Sequence, residues 1–390
     1  MQAALVVVTL LAVWGAVSNA QYNLTRLNMT SGFGFLERGT GWNYSFSLVE
    51  RSINDSYAYT LFIGLLNTLF VGFICIVTTT IFGFLIGTMR DVRHPALRFA
   101  ASVYVQIFRN IPLILQAIFL YAILIHMGGP RQAVSLGDVA FLSGRGAMLP
   151  GLNVSPTAAD RWLQVELRQL ELGDERLRDH LQQQLLQAGL WTVGAVLFIL
   201  ALILARPVFW RGLALWAGGS LGLALAVALV LRPEGESLLS LPQLQGLRFT
   251  GGISVPIELF ALIAAITLYG SAYVAEIVRG GLAQVPRGLV EAGQALGLSR
   301  AAIWSRIKVP MALRSIIPPL GNQWIFMMKA TTIGIAIGFS DLFYITVNAI
   351  SQSGQTLELI AMLMLTFLAI NYSIALFTNW LNARLQLKEH

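Results

Sequence analysis

The sequence predicts an all-α protein that crosses a membrane several times, and three observations carry that expectation. Hydrophobic residues make up 56% of the 390 and charged residues only 12%, with a mean hydropathy of +0.69, far from a soluble domain. The apolar residues gather into eight runs, near 3–19, 57–88, 98–126, 190–205, 210–231, 256–278, 316–340 and 357–381. A helix needs about 20 mostly apolar residues to span a bilayer, so about eight transmembrane helices are expected. Lys and Arg are spread unevenly over the connections, as in membrane proteins whose inside loops are enriched in them. Residues 279–314 hold six basic residues against one acid, Glu291. With that stretch inside, alternation also places the short basic segments 89–97, 206–211 and 382–390 inside. Segments 21–56, 127–189, 232–255 and 341–356, where acids and bases roughly balance, fall outside. Both termini then face the cytoplasm. The net charge of +7 follows from this placement, and no nucleic-acid patch is needed to explain it.

The elements follow in chain order as four parts: 1–56, 57–126, 127–255 and 256–390. The first run ends in a small-x-small pattern at Ser18 and Ala20, like a signal-peptidase site, but lacks a positive n-region and precedes further spans. It reads as a retained first span rather than a cleaved signal. A polar, Gly- and Asn-rich outer segment follows. Five Asn-x-Ser/Thr sequons, at Asn23, Asn28, Asn43, Asn54 and Asn153, lie on the outside and would carry glycans only in a eukaryotic secretory setting. Residues 57–126 read as two spans joined by a tight basic loop. In the third part, 156–188 reads as an amphipathic helix. Thr157 and Asp160 fit a capping box after Pro156, and Leu163, Leu167, Leu170, Leu177, Leu181 and Leu185 recur at helical spacing. Two readings stay open for it, a solvated helix on the outer face or a docking surface for a soluble partner. Two plain Leu- and Ala-rich spans come next; the first, WTVGAVLFILALILA, is short and is extended by its flanks or little tilted. Residues 256–390 form a second membrane block containing the basic stretch.

The chain carries none of the common catalytic signatures. Its three lysines stand in IKVP, MKAT and LKEH, so no Gly-Lys-Ser/Thr exists and no phosphate-cradling P-loop. A Gly-x-Ser-x-Gly elbow, a zinc pair and a dinucleotide fingerprint are also missing. The single cysteine, Cys75, lies in an apolar run, and four scattered His match no ligand spacing. No catalytic residue and no metal site is assigned.

Charges inside apolar runs are the candidates that remain. Arg109 lies within the third run, Glu276 near the inner end of the sixth, and Lys329 deep in the seventh. A charge at the centre of a membrane helix costs roughly 2.5–3.5 kcal/mol on insertion scales, so such residues usually face protein or a wet cavity. For Arg109 and Glu276 the weightier reading is snorkelling or a structural ion pair near the inner interface; for Lys329 it is a cavity or gating role. Pro112, after Asn110, frees a backbone carbonyl within a span, and Pro318 and Pro319 open the seventh. Unwound backbone at membrane depth survives only where protein or water satisfies it, and in transporters it often frames the substrate. Gln116, Tyr273, Thr331 and Thr332 add polar groups at nearby depths, though such residues also serve as interhelical glue.

The polar stretch EAGQALGLSRAAIWSRIKVP, 291–310, interrupts the second membrane block. Glu291 to Leu296 favours helix, Gly297 suits a left-handed stop, and Ser299 can cap a second helical turn bearing Ile303 and Ile307. Pro310 is expected to end that piece before the seventh span. Ala292, Gly293 and Ala295 give the first helix a slim face that fits a groove of another protein, while an ordinary interfacial helix explains it equally well.

This stretch resembles the cytoplasmic EAA loop of ABC importer permeases: Glu-Ala-Ala, three residues, Gly, nine residues, Ile, two residues, Pro. Here Glu291, Ala292, Gly293, Gly297, Ile307 and Pro310 stand at those places, with Gly293 where Ala is usual and Leu289 where Gln often precedes the motif. GLLNTL at 64–69, YVQIFRNIPLILQ at 104–116 and AYVAEIVRGGL at 272–282 are similar to the polar-amino-acid permeases. The long insertion resembles the larger subunits of general L-amino-acid or acidic-amino-acid importers. The resemblance implies a five-helix type I ABC importer permease core, in 57–126 and 256–385, within a bacterial inner-membrane protein. It implies pairing with a second homologous permease, and an L-amino acid delivered by a periplasmic binding protein. An ATP-binding subunit dimer would hold ATP and Mg, with no cofactor in this chain. Glu291 to Gly297, with Ala295 and Leu296, would be the coupling helix seated on that ATPase. Two other classes remain open: a secondary transporter working alone, or a scaffold half that does not line the substrate path.

Overall fold

Among the described residues helix occupies the apolar runs, and polar or proline-bearing joints break it. The computed structural model describes residues 2–26, 32–49, 51–92, 94–152, 239–246 and 248–385. The amphipathic helix expected over 156–188 and the runs 190–205 and 210–231 lie outside the described residues. Helices α1 (Gln2–Arg26), α2 (Tyr57–Met89), α3 (Pro95–Asn110) and α4 (Leu113–Ile125) come first. After the described strands follow α5 (Ile257–Ala283), α6 (Arg287–Ala295), α7 (Arg300–Ile303), α8 (Val309–Ala330), α9 (Leu342–Ser353) and α10 (Thr356–Leu385). Among the described residues three helices are long and apolar enough to cross a membrane, or five if each of two bent pairs forms one span. These five correspond to the runs at 57–88, 98–126, 256–278, 316–340 and 357–381. In α1 the apolar stretch is the shorter Val7–Ala16, so the structure does not establish a total of eight.

The described chain divides into two units. The first comprises Met1–Phe46, Ser52–Leu120 and Ala261–His390. In it α8 packs against both α2 and α10, and α9 against α2 and α10. Gly83 and Gly87 let α2 approach α5 closely. A Cβ at 87 would stand 2.7 Å from Val278 Cβ and 2.8 Å from the Ala275 carbonyl oxygen. Such small-xxx-small spacing is how membrane helices gain backbone-to-backbone packing. Thr78 and Thr267 share a hydroxyl hydrogen bond of 2.8 Å between the same two helices. On the other side of α5, Tyr104 of α3 donates to the Leu268 carbonyl at 2.8 Å, and Val105 packs with Ala272 and Ala275. The polar segment before α2 is tied to the helices: Phe46 N donates to Ser340 Oγ at 3.1 Å, and Gly32 N to Glu358 Oε1 at 2.7 Å.

Several expectations need correction here. The run 98–126 is two helices bent by 102°. Pro112 cannot donate an N–H and drives Ile111 into an extended conformation, φ −96°, ψ 127°. Pro318 and Pro319 do not open a span but lie inside α8, which begins at Val309. Their missing N–H groups deprive the carbonyls of Arg314 and Ser315 of intrahelical donors. Pro310 does not end the preceding piece either. It sits in the first turn of α8, directly after a π-turn over Trp304–Lys308. Val309 N donates to Trp304 O five residues back, and this wider turn carries the helix past the proline. The connection 341–356, expected as a loop, holds α9, capped by Asp341, whose Oδ1 accepts from Tyr344 N at 2.8 Å.

The second unit, Ser47–Arg51 with Tyr121–Phe260, contains strands where the sequence suggested none. Strands β1 (Val134–Leu136), β2 (Ala140–Ser143) and β3 (Gly146–Leu149) form an antiparallel sheet completed by β8 (Ile253–Val255). Strand β4 (Gly151–Leu152) pairs with β5 (Leu239–Ser240), and β6 (Gln243–Gln245) with β7 (Arg248–Thr250). Runs of two to four residues are too short to show the alternation that marks a strand.

Candidate functional site

The polar stretch folds as two short helices held at a fixed angle by local hydrogen bonds. Helix α6 ends at Ala295 in a left-handed Gly297, φ +74°. Gly297 N donates to Gln294 O at 2.9 Å and Leu298 N to Gly293 O at 3.0 Å. This paired closure is a Schellman motif, which satisfies the terminal carbonyls. Ser299 then caps α7, its hydroxyl accepting from Ala302 N at 3.2 Å. Both features agree with the sequence reading.

Burial assigns the two faces of α6. Gly293 is buried, and a methyl there would stand 2.9 Å from Ile307 Cδ1 and 3.3 Å from Ile303 Cγ1. Glycine at 293 is thus the inward position against the following helix, a reason invisible in the motif itself. Glu291, Ala292, Ala295 and Gly297 are exposed, and Leu296 is 81% exposed. Leu289, Ala292 and Leu296, at i, i+3 and i+7, form an uncovered apolar stripe.

The intramembrane candidates fall into three groups. Glu276 of α5 is the centre of the first. Its carboxylate pairs with Arg90 and Arg279, and Arg109 Nη1 lies 3.7 Å away. Arg279 Nε donates to it at 3.0 Å. The Arg109 guanidinium also rests over the Tyr273 ring, 4.9 Å from its centre, and Tyr269 donates to Tyr273 Oη at 3.1 Å. Three cations thus converge on one carboxylate, which gathers the ends of α2, α3 and α5.

The second group is the α3–α4 corner. Gln116 is buried, and its Nε2 donates to the carbonyls of Phe108 and Ile111, both at 2.9 Å. It thereby satisfies acceptors that the break at Pro112 strips of partners. Asn110 Nδ2 donates to Gln106 O at 2.7 Å. The third group stands where α8 gives way to a 3-10 turn over Thr331–Ile337. Thr331 and Thr332 donate to the carbonyls of Met328 and Lys329, at 2.9 and 2.7 Å. Lys329 is exposed, with no ion pair among the described residues.

Sequence reasoning missed Arg90, Asp91 and Lys308. Lys308 Nζ contacts Asp91 Oδ2 at 2.8 Å, joining the π-turn to the α2–α3 connection. The signal was present as adjacent opposite charges closing a long apolar helix. Among the described residues no group of three His, Cys, Asp or Glu is placed to hold a metal.

The profile of a family described as "Binding-protein-dependent transport system inner membrane component" matches residues 189–387, which include this whole polar stretch. The chain belongs to that family. This inner-membrane permease is 36% identical to YhdX of Escherichia coli (strain K12), named as an amino-acid ABC transporter permease, over 95% of this chain and 89% of that one. It is 33% identical to AapQ of Rhizobium johnstonii, a general L-amino acid transport system permease protein, covering 97% of this chain and 89% of the relative. The permease BztB of Rhodobacter capsulatus, named for glutamate, glutamine, aspartate and asparagine transport, is 31% identical over 98% of this chain and 93% of its own. The chain is therefore an ABC transporter permease, a transport component.

Proposed function

We propose that this permease forms half of the pathway of an ATP-driven amino-acid importer and takes its energy from a separate ATPase through the loop 291–310, which begins within α6. The observation that carries the reading is the α6 stripe of Leu289, Ala292 and Leu296. It is apolar and uncovered, and it is fixed by the Schellman closure and the Gly293 contact. Isolated apolar side chains on a surface mean little, but a rigid helix presenting them in one row suits a groove in a partner. The chain has no P-loop of its own. A dimer of ATP-binding subunits, holding ATP and Mg, would grip α6 on the cytoplasmic side, where both termini also lie. A second, homologous permease would complete the pathway, and an extracytoplasmic binding protein would deliver an L-amino acid. Arg109, Asn110, Pro112, Gln116, Tyr273, Glu276, Lys329, Thr331 and Thr332 are the candidate lining and gating residues.

The test is reconstitution of the detergent-extracted complex with labelled L-amino acids. Glu291→Lys and Gly297→Pro are expected to leave membrane insertion intact while ATP hydrolysis no longer drives uptake. Normal coupled uptake by both variants would refute the assignment. Uptake by this chain alone, with no ATPase present, would favour a secondary transporter instead.

A further inference from the structure

At the end of α2 two adjacent residues of opposite charge hold different elements. Arg90, the helix C-cap, places its guanidinium on Glu276 of α5, while Asp91 receives Lys308 of the π-turn at 2.8 Å. The backbone between them is tied into the helix end: Arg90 N donates to Ile86 O at 3.2 Å, and Asp91 N to Thr88 O at 3.0 Å. The chain of charges continues beyond Glu276. Arg109, next to last in α3, lies 3.7 Å from that carboxylate and immediately precedes the 102° break. The side chains of Arg90 and Glu276 are only 15% and 28% exposed, so water and salt screen that pair less than a surface one. Gly83 and Gly87, which seat α2 on α5, bring the two together.

We propose that Arg90 and Asp91 are positioning residues that transmit displacement of the α6–π-turn segment to the corner between α3 and α4. A pull on Lys308 reaches Asp91 through one ion pair, Arg90 through one peptide unit, and Glu276 and Arg109 through the next pairs. The inference rests on the reading of 291–310 as the segment an ATPase grips. It assigns the path by which that grip reaches the bent span. Charge alternates along the path (Lys308, Asp91, Arg90, Glu276, Arg109), so each contact is attractive. The energetic signature of such a path is coupling between its members, which spatial proximity alone does not supply.

The experiment uses the assembled complex in proteoliposomes, measuring uptake of a labelled L-amino-acid mixture and ATP hydrolysis on the same vesicles. Asp91→Lys and Lys308→Asp are each expected to lower the amino acid moved per ATP by about two- to fivefold, the scale of a partly exposed ion pair. The double exchange, D91K with K308D, restores the pair with reversed sign and is expected to recover the ratio. A relay is overturned if the single variants keep the ratio, or if the double exchange transports no better per ATP than either single one. Should the reversals fail to assemble, Asp91→Asn and Lys308→Gln test the same ratio without a like-charge clash, and an unaltered ratio again overturns the relay. Gly297→Pro runs alongside. If it uncouples while the relay variants do not, the relay falls and the gripping segment stands. If it and Glu291→Lys both leave uptake coupled, the gripping segment itself falls.

Discussion

Gln116 shows how a polar side chain in an apolar run can be structural in its first duty. Its amide nitrogen replaces two backbone donors lost around Pro112, at 2.9 Å each. Gln116→Leu keeps the size but leaves two part-buried carbonyls unpaired, at a cost of about 1 kcal/mol. Thermal unfolding of the detergent-extracted protein should therefore begin several degrees lower; an unchanged midpoint would mean that water replaces the amide. Gly293 makes the opposite case. An alanine there meets the flexible end of Ile307 at 2.9 Å and Ile303 Cγ1 at 3.3 Å, side chains that need give only a few tenths of an ångström. It also gains up to about 1 kcal/mol of helix propensity. Gly293→Ala is expected to transport like the parent, whereas Gly293→Leu should push α6 from Ile303 and Ile307 and impair coupled uptake. Equal uptake by the two variants would show that this contact does not hold α6.

Among the elements, α2 depends most on close approach. Gly87→Leu would drive a side chain into Val278 and the Ala275 carbonyl, 2.7 and 2.8 Å from the new Cβ. Overpacking of this kind costs about 1–3 kcal/mol. The displaced helix end would carry Arg90 away from Glu276. Cysteine cross-linking between α2 and α5 in membranes should fall in yield; an unaltered yield would refute the close packing. Elements also differ in how plainly the sequence announces them. Helices α2 and α10 match their apolar runs closely because hydropathy alone decides them. The break at Pro112 was legible from the proline, but its 102° angle was not, and α9 escaped because Asn348, Ser351 and Gln352 gave it the look of a loop. Gly297 and Ser299 were legible in the polar stretch, since caps and left-handed stops are local rules. The pairing of Arg90 with Glu276 and of Asp91 with Lys308 was not, because the partners are 186 and 217 residues apart.

For the whole molecule, function turns on the residues that meet the transported amino acid. Lys329 is the exposed cation at the end of α8, without an ion pair among the described residues. If it lines the pathway, Lys329→Ala should cut amino-acid uptake severalfold while the complex still assembles; loss of assembly would instead make it a structural residue. The second unit bears on how the chain is organised. Strand β4 leads directly to 153 and strand β5 begins at Leu239, and the two are neighbours, with Leu152 opposite Leu239. The chain thus leaves and re-enters through a single antiparallel ladder. The sequence places two apolar runs in that excursion, an even number, so its removal would not reverse the sidedness of anything downstream. A two-residue turn joining β4 to β5 is the shortest hairpin connection that antiparallel strands accept. Joining Leu152 to Leu239 through such a turn would thus keep the register of the two flanking strands.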